Sequence, residues 1–365
     1  METRTPAEVF PAGELLADEL DKRGWTQAEF AEILGRPTQF VSEVISGKKE
    51  ITRESAAQIG AALSMSPKHW LNLQDSYFLW RQSQSAASRN NLNAVKTRAQ
   101  LQELAPLALL KKRGFVRAKD LDGQVREVLD LLEMDSFEDK SAVKFAARRR
   151  NGGESVTGLQ RAWVACVKAT ASSLEVGPFD REALRSLAVE LPGIVRDPEC
   201  FSDFQRLFAA VGVKLIFVEA FPGGKLDGCA MMVGEHPVIG ISGRGKRLDV
   251  VLFAILHEVA HILLGHLDDS GAAIIDDLSE DEEPGRELDA NKYAGELAIK
   301  GTIPQVPARI NAAWVRDQAE RLNIHPIVLV GRLQNEGIIP WKTTLVRNAP
   351  SVTDQIGQWG APHTV

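Results

Sequence analysis

Two histidines four residues apart, His257 and His261, sit in the otherwise apolar stretch FAILHEVAHILLGH, with Glu258 directly after the first. On a helix, positions i and i+4 share one face. Both imidazoles can therefore hold one metal ion while the neighbouring carboxylate works on a water beside it. Catalytic zinc takes three protein ligands and keeps one position open, so a third ligand must come from elsewhere. The segment EEPGRELDANKYAGELAIK offers Glu287, Asp289 and Glu296, 26 to 35 residues beyond His261. On a helix Glu287 shares its face with Ala290, Asn291 and Ala294, and small residues there let two helices approach closely. Spacing alone does not choose between Glu287 and Asp289. The chemistry would be hydrolysis: zinc polarises a carbonyl and acidifies a water, and Glu258 carries the proton to the leaving group. His266, Tyr293 and His325 are further candidates beside the reaction, although each residue type more often serves structure. His69, His236 and His363 have no partner pattern and read as surface or helix-end residues.

The elements that must position this cluster follow from the hydrophobic period. VKLIFVEAF, CAMMV and HPVIGIS read as strands around the turn PGGKLDG, and the Gly-rich basic loop GRGKR leads into the long helix bearing HEVAH. Before them, residues 94–210 alternate amphipathic helical patterns, among them DGQVREVLDLLEM, KSAVKFAARRR, TGLQRAWVACVKATASSL and FDREALRSLAVEL. Leu129, Leu132, Phe145, Trp163, Val167 and Leu187 are expected in the core. Ser83–Asn93 is small, polar and weakly patterned, and reads as a linker.

Residues 11–80 read as five short helices. Pro11 and Gly13 open the first, which carries Leu15, Leu16 and Leu20, and Gly24 ends it. Thr26 caps TQAEFAEILG with Glu29 as its capping-box partner, and Ala28, Phe30, Ala31 and Leu34 are expected on the buried side. Gly35-Arg36-Pro37 turns into TQFVSEVISG, which stops at Gly47. Two short helices joined so tightly form a helix-turn-helix. The second helix of such a unit enters the major groove. Thr38, Gln39, Ser42 and Glu43 are then the candidates for base edges, and Arg36, Lys48, Lys49 and Arg53 for phosphates.

Two resemblances sharpen these readings. TQAEFAEILGRPTQFVSEVISGKKEIT, continued by ESAAQIGAALSMSPKHWLNLQ, resembles the XRE-type DNA-binding fold of phage-repressor-like regulators and HigA-type antitoxins. LHEVAHILLGH followed by ELDANKYAGELAI looks like the ImmA/IrrE family of metallopeptidases, and NIHPIVLVGRLQNEGII is similar to the terminal helices of HigA-like proteins bearing that domain. The second resemblance implies zinc held by His257, His261 and Glu287 in a gluzincin-like metalloendopeptidase, with Tyr293 at an aromatic position of the motif and Glu258 catalytic. This chain departs from the pattern at Ala260, often glycine in the family, and at Leu297-Ala298-Ile299, where others end in LLMP.

The bulk composition fits these assignments. The chain has 365 residues, 44 % hydrophobic and 25 % charged, with a net charge of −6. That is ordinary globular composition, and the charge argues against a nonspecific nucleic-acid coat without excluding a small reader domain. The acidic run at 276–289 and the basic stretch of Lys144, Arg148, Arg149 and Arg150 are expected as solvated surface. No apolar run reaches the ~18 residues of a membrane span, METRTPAEVF has no signal-peptide pattern, and Cys166, Cys200 and Cys229 read as reduced thiols. These features lead to the expectation of a cytoplasmic protein.

The expected fold is mainly α with a small β-sheet. It comprises a helix-turn-helix domain at 1–82, a helical connecting region at 83–205, an α+β zincin-like domain at 206–345 and a tail at 346–365. The expected function is a DNA-binding transcriptional regulator with a zinc-dependent peptidase that cleaves a regulatory partner; the alternative is a HigA-type antitoxin or autorepressor whose metal domain is a sensor or scaffold. The expected partners are double-stranded DNA with a palindromic operator, a repressor or toxin–antitoxin-type protein, and a second copy of the chain in a homodimer.

Overall fold

The computed structural model describes residues 9–139, 157–267, 273–276, 285–300 and 306–359. The basic stretch around Lys144–Arg150, the expected helix KSAVKFAARRR with Phe145, the acidic residues 277–284 and His363 lie outside them. The fold is mainly helical with one small mixed sheet, as the sequence predicts. It divides into two compact units, Met1–Thr97 and Arg98–Val365.

The first unit begins with five helices: α1 (Ala12–Arg23), α2 (Gln27–Leu34), α3 (Thr38–Ile45), α4 (Arg53–Leu63) and α5 (Pro67–Gln84). Their cores meet around Leu16, Leu20, Phe30, Val41, Val44, Ile59 and Trp70. Gly24 and Gly35 end α1 and α2 in the left-handed region, where glycine has no Cβ penalty. The Thr26–Glu29 capping box is formed in both directions. Thr26 N–H donates to the Glu29 carboxylate and holds it below its ordinary pKa. Ala28 is exposed, contrary to expectation. The buried side of α2 is centred on Phe30, Ala31 and Leu34, and at 100° per residue Ala28 falls on its flank. Gly13 is needed for packing, because a Cβ there would lie 2.4 Å from the Ile45 carbonyl oxygen at the end of α3.

The expected linker is helical. Helix α5 runs to Gln84, and α6 (Ala86–Leu104) starts one residue after Ser85. The segment is almost wholly exposed, so it carries no apolar pattern by which periodicity could reveal a helix.

In the second unit the order is α7 (Leu107–Lys112), α8 (Leu121–Leu131), α9 (Gly158–Ser172), α10 (Arg181–Ile194), a 3-10 turn (Pro198–Asp203) and α11 (Phe204–Ala210). Strands β1 (Lys214–Phe217), β2 (Gly228–Val233) and β3 (His236–Ile241) follow, then α12 (Leu248–Leu263), β4 (Ile274–Asp276), α13 (Arg286–Ala298), α14 (Ala312–Arg321), α15 (Pro326–Asn335), a 3-10 turn (Thr344–Val346) and α16 (Thr353–Ile356). The sheet order is β1-β3-β2-β4, with β1 parallel to β3 and the other pairs antiparallel. The three-residue β4 is an addition to the expected strands; so short a segment carries no period-2 signal.

Alternation along the strands sends Leu215, Ile239 and Ile241 into one core with α12, and Ile216, Cys229, Met231 and Val238 into another with α9. The helical middle is thus divided: α7, α8 and α9 pack in the core on one face of the sheet, whereas α10 packs with α12 in the other core. Trp163 of α9 is buried and donates its indole N–H to the Val218 carbonyl at 2.8 Å. Cys166 and Cys229 lie buried in the α9 core and, with Cys200, carry free thiols.

Residues 346–359, expected as part of a tail, are folded into the other core. Val352, Ile356 and Trp359 are buried there. Trp359 stacks near Phe204 and donates to the Phe201 carbonyl at 2.8 Å. The backbone of Leu248, at the start of α12, bonds to Pro350. Trp359→Ala should therefore lower unfolding stability by about 3–5 kcal/mol. A denaturant titration checks it, and a loss below about 1 kcal/mol would return the segment to the status of a tail.

Candidate metal centre and candidate DNA-reading face

Helix α12 is buried almost all round, 14 of its 16 residues being inaccessible, so its histidines are held by packing from every side. Its first turn is fixed by Arg247, which makes a bidentate pair with Asp249 at 2.6 and 2.7 Å and also donates to Gln334. Helix α13 packs against α12, with Ala290 and Ala294 buried on the face that Glu287 shares, while the buried Gly295 makes room for Arg332 of α15. Glu287 lies in the first turn of α13.

The structure brings His257, His261 and Glu287 together. The two Nε2 atoms lie 3.1 Å apart, and Glu287 Oε2 stands 3.3 Å from the first and 3.4 Å from the second. Asp289 and Glu296 are exposed and take no part. Three lone-pair atoms at nearly equal separations form a poor hydrogen-bond set, because each bond needs its own directed proton. They fit a zinc ion well. Bonds of about 2.0–2.1 Å in tetrahedral geometry put neighbouring ligand atoms about 3.3–3.4 Å apart.

Glu258 is 1 % exposed, and its carboxylate lies against β2. A Cβ on Gly228 would stand 2.3 Å from Glu258 Oε1, so the glycine leaves the space that this carboxylate fills. The further candidates find other partners. His325 caps α15, its Nδ1 accepting from the Ile327 N–H at 3.1 Å, and burial pushes its pKa down. The Tyr293 hydroxyl accepts from Arg185 of α10. His266 Nδ1 lies 2.9 Å from His261 Nδ1, and burial is the main reason its pKa falls below the ordinary value. Sequence reasoning missed Gly228 and Arg185. A glycine opening a strand has many uses, and Arg185 meets Tyr293 across 108 residues of chain.

In the first unit, Phe40, Val41 and Val44 bury one side of α3, while Thr38, Gln39 and Ser42 are exposed on the other. Glu43 is half-buried and tied down: Gln39 donates to it at 2.8 Å and Lys49 pairs with it at 3.5 Å. Lys48, Lys49 and Arg53 are exposed. Arg36 is committed to Glu54 and to Gln58, and lies over the Phe40 ring. The loop carrying the lysines is pinned by Gln74, whose buried amide bonds both the N–H and the carbonyl of Ile51. A glutamine on an exposed-looking stretch of α5 gave no sequence signal for that role.

These five helices, with a three-residue turn between α2 and α3 and a polar outer face on α3, define a helix-turn-helix domain. Comparison with known proteins agrees. An uncharacterised HTH-type transcriptional regulator of Escherichia coli strain K12, YddM, is 30 % identical over 67 residues, 18 % of this chain and 71 % of its own length. An uncharacterised HTH-type transcriptional regulator of Haemophilus influenzae is 30 % identical over 97 residues, 26 % of this chain and 88 % of its own. The chain belongs to the family of HTH-type transcriptional regulators.

Two solved structures are also similar. One is described as an antidote protein of a plasmid maintenance system from Nostoc punctiforme: 40 % identity, 24 % of this chain and 94 % of that one, TM-score 0.22. The other is an addiction module antidote protein of a HigA family from Coxiella burnetii: 31 % identity, 20 % and 80 % coverage, TM-score 0.19. No protein-family model matches the chain. Among the described residues no helix is long and apolar enough to cross a membrane.

Proposed function

We propose that the chain is a DNA-binding transcriptional regulator whose larger unit is a zinc-dependent peptidase of the ImmA/IrrE kind, acting on a regulatory partner protein. The near-equilateral triangle of His257 Nε2, His261 Nε2 and Glu287 Oε2, with Glu258 adjacent, carries the enzymatic half of this reading. The family membership carries the DNA-binding half.

When bound, zinc supplies a Lewis acid that polarises the scissile carbonyl and makes a water acidic. The remaining work falls to the chain. Glu258 takes one proton from the attacking water as its oxygen joins the carbonyl carbon, and returns that proton to the nitrogen as the C–N bond breaks. Its buried position beside Gly228 holds the carboxylate in one place and strengthens its electrostatic effect. An extended substrate would align along the outer edge of the sheet, beside β4 and the C-terminal half of β2, with backbone hydrogen bonds in register. On DNA, Gln39 and Ser42 would face base edges, with Lys48, Lys49 and Arg53 on phosphates. A palindromic operator would engage two copies of the chain.

A second reading has its own support: the stretch shared with this chain makes up 71 % and 88 % of the length of the two relatives, both HTH-type transcriptional regulators. Regulation by DNA binding therefore stands without a peptidase, as in an antitoxin or autorepressor whose metal domain is a sensor or scaffold. Zinc per chain in the purified protein, beside His261→Ala and Glu287→Ala, tests the site common to both. We expect close to one zinc in the wild type and loss in each variant. A wild type that stays free of zinc after supplementation would end the metal reading and leave the regulator alone.

A further inference from the structure

The end of α12 is built as a Schellman turn. Gly265 takes a left-handed φ of 72°, its N–H bonds to Ile262 O at 3.2 Å, and the His266 N–H bonds to His261 O at 2.9 Å. In such a turn the residue two past the cap folds back beside the residue three before it, and the pair is commonly apolar. Here the pair is His266 and His261. Their rings meet edge to face, with centroids 5.1 Å apart and Nδ1 atoms 2.9 Å apart.

His261 thus uses its two nitrogens differently. Nε2 faces His257 and Glu287, while Nδ1 faces His266. A neutral imidazole carries one proton, so a lone pair presented to a metal at Nε2 requires the proton on Nδ1. That N–H then needs an acceptor, because α12 buries it away from water.

We infer that His266 is the positioning residue for the metal centre, accepting the His261 Nδ1 proton and so fixing that ligand's tautomer and ring orientation. This role rests on the zinc reading proposed above. It gives the motif HILLGH two coupled functions. Gly265 stops the helix, and the same turn delivers the partner of a ligand five residues back. Outer partners of ligating histidines typically contribute 10–100-fold in metal affinity.

The test is zinc affinity of the full chain, by competition with a chromophoric chelator at neutral pH, for the wild type, His266→Ala and His266→Asn. The alanine variant should bind zinc about 10–100-fold more weakly. The asparagine variant, whose amide oxygen can take the place of Nδ1, should recover most of that loss. Melting temperatures without zinc should match the wild type in both, because the turn's backbone bonds need no side chain. Equal affinity in His266→Ala, or no recovery in His266→Asn, would overturn the role. So would a fall in the melting temperature without zinc large enough to account for the weaker binding. Failure of the wild type itself to bind zinc would instead remove the underlying reading, which distinguishes the two failures.

Discussion

Glu258→Gln is expected to abolish peptide cleavage while leaving zinc content and folding intact. The substitution keeps the shape that lies against Gly228 and removes only the basic carboxylate. Loss of a positioned general base typically costs about 10²–10⁴-fold in rate. Because glutamine remains neutral, it cannot take up the water's proton, and the leaving nitrogen loses its nearby proton source. Exposing a peptide library made from a bacterial proteome to both proteins, with cleavage sites read by mass spectrometry, provides the measurement. Sites cut by the wild type and spared by Glu258→Gln would establish the hydrolytic role. Equal cutting by both would assign the activity to a contaminant or another site. A zinc-loaded wild type that cuts nothing would favour the sensor or scaffold reading.

The second large effect is expected on DNA. Replacing Lys48, Lys49 and Arg53 together with alanine should weaken binding to every duplex and reduce the salt slope by about 3, one for each phosphate that is no longer neutralised. Gln39→Ala should act differently, costing about 1–3 kcal/mol of discrimination at one base pair with little change in slope. Interactions within the domain refine this expectation. Lys49 is partly neutralised by Glu43, so Glu43→Gln should tighten nonspecific binding by freeing that charge. Arg36 is already held by Glu54 and Gln58, so its contribution should be smaller than that of Lys48. Binding isotherms on a duplex selected from a random pool, measured across a salt series, separate these effects. A slope unchanged in the triple variant would place the DNA surface elsewhere.

Much of this architecture is legible in the residues themselves. Thr26 with Glu29, Gly24, Gly35 and Gly47 set the helix boundaries of the first unit, because caps and left-handed turns are local and each needs only a few neighbouring residues. The strand pattern of residues 214–241 is likewise visible, since strands covered on both faces read as short, nearly continuous apolar runs bounded by turns. The i, i+4 histidines announce themselves because helical geometry alone puts them together.

Other features depend on packing that no local pattern encodes. Ser83–Asn93 is helical without an apolar stripe, and Ala28 falls just outside the buried arc of its helix. The last segment packs into the core through Val352, Ile356 and Trp359, three apolar residues in a stretch too short to establish a period.

For the candidate site the division is equally physical. The sequence by itself determined that His257, Glu258 and His261 share a helix, that a polar-faced second helix follows a tight turn, and that a carboxylate-bearing helix lies downstream. It left Glu287 and Asp289 open, because their spacing from His261 is nearly the same. The family resemblance implied Glu287, and the tertiary structure brings it to the site by packing α13 on α12 with Ala290 and Ala294 buried, so that Glu287 reaches both imidazoles and Asp289 is exposed. Only the tertiary structure decided that Glu258 rests against Gly228 and that His266 folds back on His261. Local propensity acts over a few residues, whereas the distance between two ligand atoms is set by how whole helices and strands pack.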